Sequence, residues 1–263
     1  MHKRVLFVLS SILVLALAVS CGGGEPKNEL PPGGPGAGAA PGGAAAPNAT
    51  ATVSGKITFE GTPPPNEKIQ MSSDPYCAQH GGTNPTLETV KVSDGGLENV
   101  IVYISNAPNA SYPAPTAAVE INQENCHYIP HVFTMQTNQP LKIKNSDMTL
   151  HNIHAWAEKN PQYNVGQPVK DMVNETKFAN EEVPLPVKCD VHKWMGAFIG
   201  VFHHPYHTVS KGGGSYDLKV PPGKYEVVAW HEKYGKQTQM VEVMDNGKAE
   251  LNFTFKADGK PTD

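Results

Sequence analysis

From Thr52 to Phe255 no long stretch places apolar residues at helical spacing. What recurs instead is period two, in short runs separated by Gly, Pro and Asn. Val53, Gly55, Ile57 and Phe59 alternate with polar residues, as do Val119 with Ile121, Leu141 with Ile143, and Tyr216, Leu218 and Val220. Residues two apart share one face of a strand, so these runs predict half-buried strands. Residues 97–104 and 197–202 are nearly continuous apolar runs, as expected of strands covered on both faces. Residues 225–230, 238–244 and 251–255 complete the set. Pro222-Gly223 suits the centre of a type II turn, where glycine supplies the positive φ. Many short strands joined by such turns restrict the chain to an all-β sandwich or barrel.

The chain begins differently. His2, Lys3 and Arg4 precede an apolar run over residues 5–19 that is short for a membrane span and matches a signal peptide over residues 1–20. The run ends Leu17-Ala18-Val19-Ser20-Cys21, which resembles a bacterial lipobox with Ala18 where Leu is more usual. The resemblance implies a lipid on Cys21 and a cell-envelope protein held to the membrane by that anchor; the alternative is an ordinary cleaved signal that leaves Cys21 free. Gly22, rather than Asp, implies the periplasmic face of the outer membrane or the outside of the cell. Residues 21–51 are mostly Gly, Pro and Ala and read as a tether. The formal net charge is −4, and loss of Lys3 and Arg4 would make it more negative. With no basic patch to neutralise phosphates, nucleic acid is excluded as a partner.

Chemistry concentrates in Cys189-Asp190-Val191-His192-Lys193-Trp194-Met195, which sets a thiol, an imidazole and a thioether at the spacing C-x2-H-x2-M. Soft sulfur with imidazole suits copper, and two His, one Cys and a weak axial Met make the blue-copper electron-transfer site. Strand-like residues 132–136 and 140–145, then a loop ending His151-Asn152, precede the motif. The stretch resembles a small cupredoxin, with a ligand loop most similar to those of amicyanin-like members. The resemblance implies His151, Cys189, His192 and Met195 as ligands to copper, with Asn152 hydrogen-bonding near the thiolate. It further implies a non-enzymatic carrier of single electrons whose partner is a redox protein: a dehydrogenase, a cytochrome or a membrane complex. Partners of that family dock on an apolar patch beside an exposed ligand His, which places Lys193 and Trp194 at the docking face. Lys193 stands where such loops usually have Pro. Trp194 is either a partner contact and electron path or a shield for the metal.

Other readings stay open. His154 is an alternative ligand to His151, and His131 an additional one, unless both are core or loop residues. His203, His204 and His207 read as a domain junction or an accessory metal site, and His231 as structural. Copper storage or delivery would recruit His and Met residues beyond the four ligands. A nitrosocyanin-like mononuclear copper enzyme would need an open position, which Met195 opposes. No Gly-x-Ser-x-Gly, His-Glu-x-x-His or phosphate loop is present.

The flanking pieces, residues 54–60, 96–105, 214–218, 221–225 and 237–255, resemble the carboxypeptidase regulatory-like (transthyretin-like) family. The resemblances together imply a cupredoxin-like Greek-key sandwich inserted in a transthyretin-like β-sandwich: residues 52–114 and 204–258 around 115–203, with a tail over 259–263. The alternative is one larger continuous sandwich. With Cys21 assigned to lipid and Cys189 to metal by these resemblances, Cys77 and Cys126 remain. An exported compartment favours a disulfide between them, worth about 4 kcal/mol for a loop of about 50 residues. The alternative, in which both ligate metal, draws on the adjacent Cys126-His127.

Overall fold

Period-two alternation becomes strand wherever it occurs. The computed structural model describes residues 48–260; the signal-like segment, Cys21, most of the tether and the last three residues lie outside them. The first strand, β1 (Ala51–Glu60), buries Ala51, Val53, Ile57 and Phe59 on one face. It is followed by a short helix, α1 (Pro75–His80), then β2 (Val92–Ser93), β3 (Gly96–Leu97) and β4 (Ile101–Ile104). Next come β5 (Val119–Glu124), β6 (His127–Ile129), β7 (Val132–Gln136), β8 (Leu141–Asn145) and β9 (His151–Ala155). They lead to β10 (Tyr163–Gln167), β11 (Val173–Thr176), β12 (Glu182–Lys188) and β13 (Gly196–Phe202). The chain finishes with β14 (His207–Val209), β15 (Ser215–Val220), β16 (Gly223–His231), β17 (Gly235–Val243), β18 (Lys248–Glu250) and β19 (Phe253–Lys256).

The architecture is all-β, in four sheets around two main cores. One sheet has the order β15-β1-β3-β2, with β18 and β19 both pairing β1 in parallel, and a second has the order β14-β4-β16-β17. Between them lies a core of Val53, Ile57, Leu97, Val102, Val227 and Phe253 with their neighbours. The third sheet, β10-β9-β12-β13-β7, and the fourth, β11-β8-β5-β6, enclose a second core that includes Phe133, Leu141, Ile153, Leu185 and Ile199. The chain thus leaves the first sheet pair after β4, builds the second over residues 119–202, and returns at β14. Parallel pairing of β5 with β8 and of β13 with β7 shows crossovers rather than a simple meander.

Three local expectations change. The apolar run 97–104 is two strands, not one: Asn99 takes φ 61° and turns the chain from β3, on β1, to β4, on β16. Both halves are buried because each belongs to a different sheet of the same core. The Pro222-Gly223 turn is not type II, because Gly223 has no positive φ and opens β16. The turn is closed instead by the Tyr225 hydroxyl, which donates to the Pro221 carbonyl at 2.8 Å. Finally, residues 61–91 are not simply part of the first sandwich. Asp74 caps α1 and Pro75 begins it, the usual helix-start pair. The helix then packs away from its own sheets: Ile69, Met71 and Cys77 form a small cluster with Cys126, and Trp194 packs against it. Cys77 and Cys126 are joined in a disulfide, so neither thiol is free to ligate metal.

Three histidines are buried without charge. Burial, with His203 nearby, pushes His204 down to about 4. Burial likewise takes His207 to about 3, with His204 nearby, and His231 to about 3, with His131 and Lys233 nearby. Each stays neutral in the folded chain yet takes a proton in the unfolded chain below about pH 6.5. Their stabilising contribution is therefore complete above that pH and falls as pH drops toward the folded values, by about 1.4 kcal/mol per pH unit each. His207 stacks on Phe202 at 4.7 Å, and among the described residues neither ring nitrogen has a hydrogen-bond partner. His207→Phe is expected to keep the stack and make the acid limb shallower by about 1.4 kcal/mol per pH unit. Urea unfolding across a pH series checks this; a variant profile parallel to the parent's would refute it.

Candidate metal centre

The C-x2-H-x2-M spacing closes on itself. Cys189 directly follows β12 and Met195 directly precedes β13, so the motif is the turn of that hairpin. The His192 amide donates to the Cys189 sulfur at 3.3 Å, and the Met195 amide to the His192 carbonyl at 2.9 Å. The Cys189 amide donates to the Met195 carbonyl at 3.2 Å. His151 opens β9, which pairs with β12 in the same sheet, so the histidine arrives beside the turn.

The side chains of His151, Cys189 and His192 are gathered: one ligand atom from each lies within 4.8 Å of the others, and the residues are 0%, 1% and 2% exposed. The two imidazoles meet through Nδ1, 3.0 Å apart. Behind them stand carboxylates. His151 Nε2 donates to Asp147 at 2.8 Å, and His192 Nε2 donates to Asp74 at 3.1 Å. A carboxylate only accepts, so each Nε2 carries the hydrogen and, in a neutral ring, Nδ1 carries the lone pair. Two lone pairs facing each other at 3.0 Å beside a sulfur require a cation between them, a proton or a metal. The donor set of one thiolate and two imidazole nitrogens fits a transition metal with soft or borderline preference.

The electrostatics agree. Burial raises the Cys189 thiol, but the His151 and His192 rings, when a proton occupies the space between their Nδ1 atoms, and the backbone of His192 and Asn152 outweigh it and hold the group down at about 6. Burial lowers His151, yet its bonds to Asp147 and Cys189 carry it above the usual imidazole value. Asp147 is pulled down, against burial, by His151 and by the amides of Cys126 and Asn125. Asp74 falls to about 2: burial opposes, but the Cys77 amide, Thr149 and His192 win.

The remaining predicted residues are placed as follows. Met195 is buried in the second core beside the cluster's hairpin. The Asn152 side chain accepts from the Asp190 amide at 3.0 Å, tying β9 to the ligand loop, and its carbonyl accepts from the Tyr128 hydroxyl. His154 turns away, against Asp190 at 3.1 Å and the Trp156 ring. His131 has both nitrogens engaged, Nδ1 with the Gly196 carbonyl and Nε2 with Glu232 at 2.5 Å. His203 bonds Glu181, and no metal-sized grouping forms at His203, His204 and His207 among the described residues. Lys193 is exposed, while Trp194 is half-buried, donating to the Cys126 carbonyl at 3.1 Å.

His192 differs from the expectation of a surface-exposed ligand. Asp74, Cys77 (Sγ 3.7 Å from Nε2) and the Trp194 ring cover it. A cleft of about 770 Å³ opens instead beside Trp194 and Met195, and its walls include neither His192 nor Cys189. Sequence reasoning missed Asp74 and Asp147. The Asp-Pro helix start marks Asp74 as a cap, but nothing local connects residue 74 with residue 192. Asp147 lies four residues before His151 in the loop that leads to it, and no periodic or motif signal marks its carboxylate as the ring's partner.

No known protein-family model matches the chain, and no curated protein matches it. Solved structures similar to part of it include a Cu-containing nitrite reductase from Thermus scotoductus SA-01, at 16% identity and a TM-score of 0.29. The match covers 36% of this chain and only 24% of that one. An amicyanin variant in the Cu(I) form aligns over 38% of this chain and 97% of its own, at 16% identity and a TM-score of 0.29. A purple cupredoxin from Nitrosopumilus maritimus aligns over 31% and 97%, at 17% identity and a TM-score of 0.27.

Asp147 also holds the β5–β6 turn. Asn125 and Cys126 sit at φ 54° and 60°, and Asp147 accepts both of their amides at 2.8 Å. Asp147→Ala would strand those donors and the His151 N–H in a buried site. The expected loss is about 3–5 kcal/mol in urea unfolding of the metal-free protein; an unchanged midpoint would refute it.

Proposed function

We propose that the protein binds one copper ion at His151, Cys189 and His192, with Met195 as a weak fourth ligand, and carries single electrons between redox proteins. The observation that carries the reading is the pair of Nδ1 atoms facing each other at 3.0 Å beside a sulfur whose thiolate form is favoured. When bound, copper supplies a one-electron couple. The protein's own residues hold the donors still: sheet registers fix His151, the hairpin turn fixes Cys189 and His192, and carboxylates fix both rings. Rigid donors suit a metal that changes oxidation state with little movement, and hydrogen bonds around the thiolate tune its potential. The sheets outside residues 119–202, read as transthyretin-like, carry the segment that reaches over His192.

In this reading the protein is not an enzyme. It is exported, lipidated at Cys21 and held at the cell envelope, where its partner is a cytochrome, a dehydrogenase or a membrane complex. Copper storage or delivery is the second reading, supported by the burial of His192 and by three highly exposed methionines, Met148, Met240 and Met244.

Adding Cu(II) to a soluble form beginning at Ala51 is expected to give an intense blue colour and a reversible one-electron wave, both abolished by Cys189→Ser. A colourless protein that holds Cu(I) and passes it to a chelator would favour delivery, and one that holds only zinc would end both readings. In a bacterial host, the full chain is expected in the membrane fraction with covalent lipid, and Cys21→Ser in the soluble fraction. Equal fractionation of the two would remove the anchor.

A further inference from the structure

The two carboxylates behind the imidazoles are arranged alike around one disulfide. Asp147 accepts from the backbone amide of Cys126 and from His151 Nε2. Asp74 accepts from the backbone amide of Cys77 and from His192 Nε2. Each half of the Cys77–Cys126 bridge therefore presents an amide to one carboxylate, and each carboxylate grips one imidazole. Asp74 does more. Its Oδ1 takes the Cys77 amide at 3.0 Å, while its Oδ2 takes both His192 Nε2 and the Thr149 hydroxyl, the latter at 2.9 Å. Thr149 lies in the loop that leads to His151, so a single carboxylate joins α1, the first histidine's loop and the second histidine's ring. It arrives from residues 61–91, between β1 and β2, outside the sheets that carry the other groups of the cluster.

We propose that Asp74 is a positioning residue of the metal centre, which the Cys77–Cys126 disulfide braces over His192 together with Asp147, and that its charge lowers the reduction potential of bound copper. The inference rests on the copper reading above. A carboxylate on Nε2 keeps the hydrogen there and Nδ1 free for the metal. Its negative charge favours Cu(II) over Cu(I), because the oxidised ion carries the larger positive charge. Besides the bridge, α1 is held by the small cluster of Ile69, Met71 and their neighbours and by the hydrogen bonds of Asp74 and Tyr76, so the bridge is the one covalent tie of the cap to the β5–β6 turn.

Asp74→Asn separates this role from a merely structural one. Asn caps a helix about as well as Asp, so α1 is kept, but the charge is lost and the oxygen facing His192 is no longer guaranteed. Loss of such a partner costs about 10–100-fold in metal affinity. The expected effect is a tenfold or greater loss of Cu(II) affinity relative to Cu(I). Tenfold is a rise of about 59 mV in the one-electron potential, with the unfolding midpoint near the parent's. In the metal-free protein, nitrogen-15 NMR is expected to show His192 as the Nε2–H tautomer in the parent and a mixture in Asp74→Asn. Replacing both bridge cysteines, Cys77→Ser with Cys126→Ser, is expected to move the potential in the same direction. If that double variant fails to fold, Asp74→Asn carries the test alone. A parent potential and an unchanged His192 tautomer in Asp74→Asn would overturn the inference while leaving the copper reading intact. A parent that takes no copper, with the tautomer still changed by Asp74→Asn, would sink the copper reading and keep Asp74 as the residue that orients His192.

Discussion

Burying a thiolate against two imidazoles between β-sheets is unfavourable unless charge and hydrogen bonds compensate it. In this protein the two imidazoles and the backbone of His192 and Asn152 supply that compensation to the thiol, and two carboxylates hold the imidazoles. Asp147 and Asp74 occupy the outer nitrogens of His151 and His192 and leave the inner ones pointing at each other and at Cys189. Despite burial, Cys189 lies near 6, held there by the His151 and His192 rings and by the backbone of His192 and Asn152. Remove the carboxylates and either ring is free to flip or to take the other tautomer, and the lone pairs that define the centre no longer converge.

Much of the surrounding structure serves that convergence. The β12–β13 hairpin supplies Cys189 and His192 from one turn, and β9, next to β12, supplies His151. The β5–β6 turn presents two amides to Asp147 through backbone angles that non-glycine residues rarely adopt. Gly55 in β1 shows similar economy in the first sheet pair. A Cβ there would fall 1.8 Å from the Leu251 carbonyl oxygen, where β1 changes partner from β18 to β19. The first sheet pair needs that close approach to keep both strands on β1, and the cap that carries Asp74 grows from the end of β1.

What the sequence disclosed was what is local or periodic. Alternation gave the strands, and the C-x2-H-x2-M turn could be read because its hydrogen bonds join residues within seven positions of each other. His151 came from resemblance rather than spacing. The pairing of Cys77 with Cys126 followed only after the other two cysteines had been assigned. Residues 97–104 were misread because an apolar run is identical whether it crosses one sheet or turns a corner between two. Pro222-Gly223 was misread because the Tyr225 hydroxyl, three residues away from Pro222, decides the turn. Asp74 was illegible for a deeper reason: its cap signature describes α1, whereas its other partner is 118 residues away.

Coverage of His192 changes how the cluster can be reached from outside. An imidazole edge at the surface lets a partner approach the metal through a single ring. Here Asp74, Cys77 and Trp194 pack against the His192 ring, so the ring is reached only past α1 or past Trp194. On the Trp194 side the ring lies 5.0 Å from His192, centroid to centroid, and also lines the cleft that reaches Met195. Lys193 and Lys188 line the same cleft, as do Glu124 and Glu232, opposite in sign. That approach is lined by charges of both signs rather than by a flat apolar face, and Lys193 is one of them.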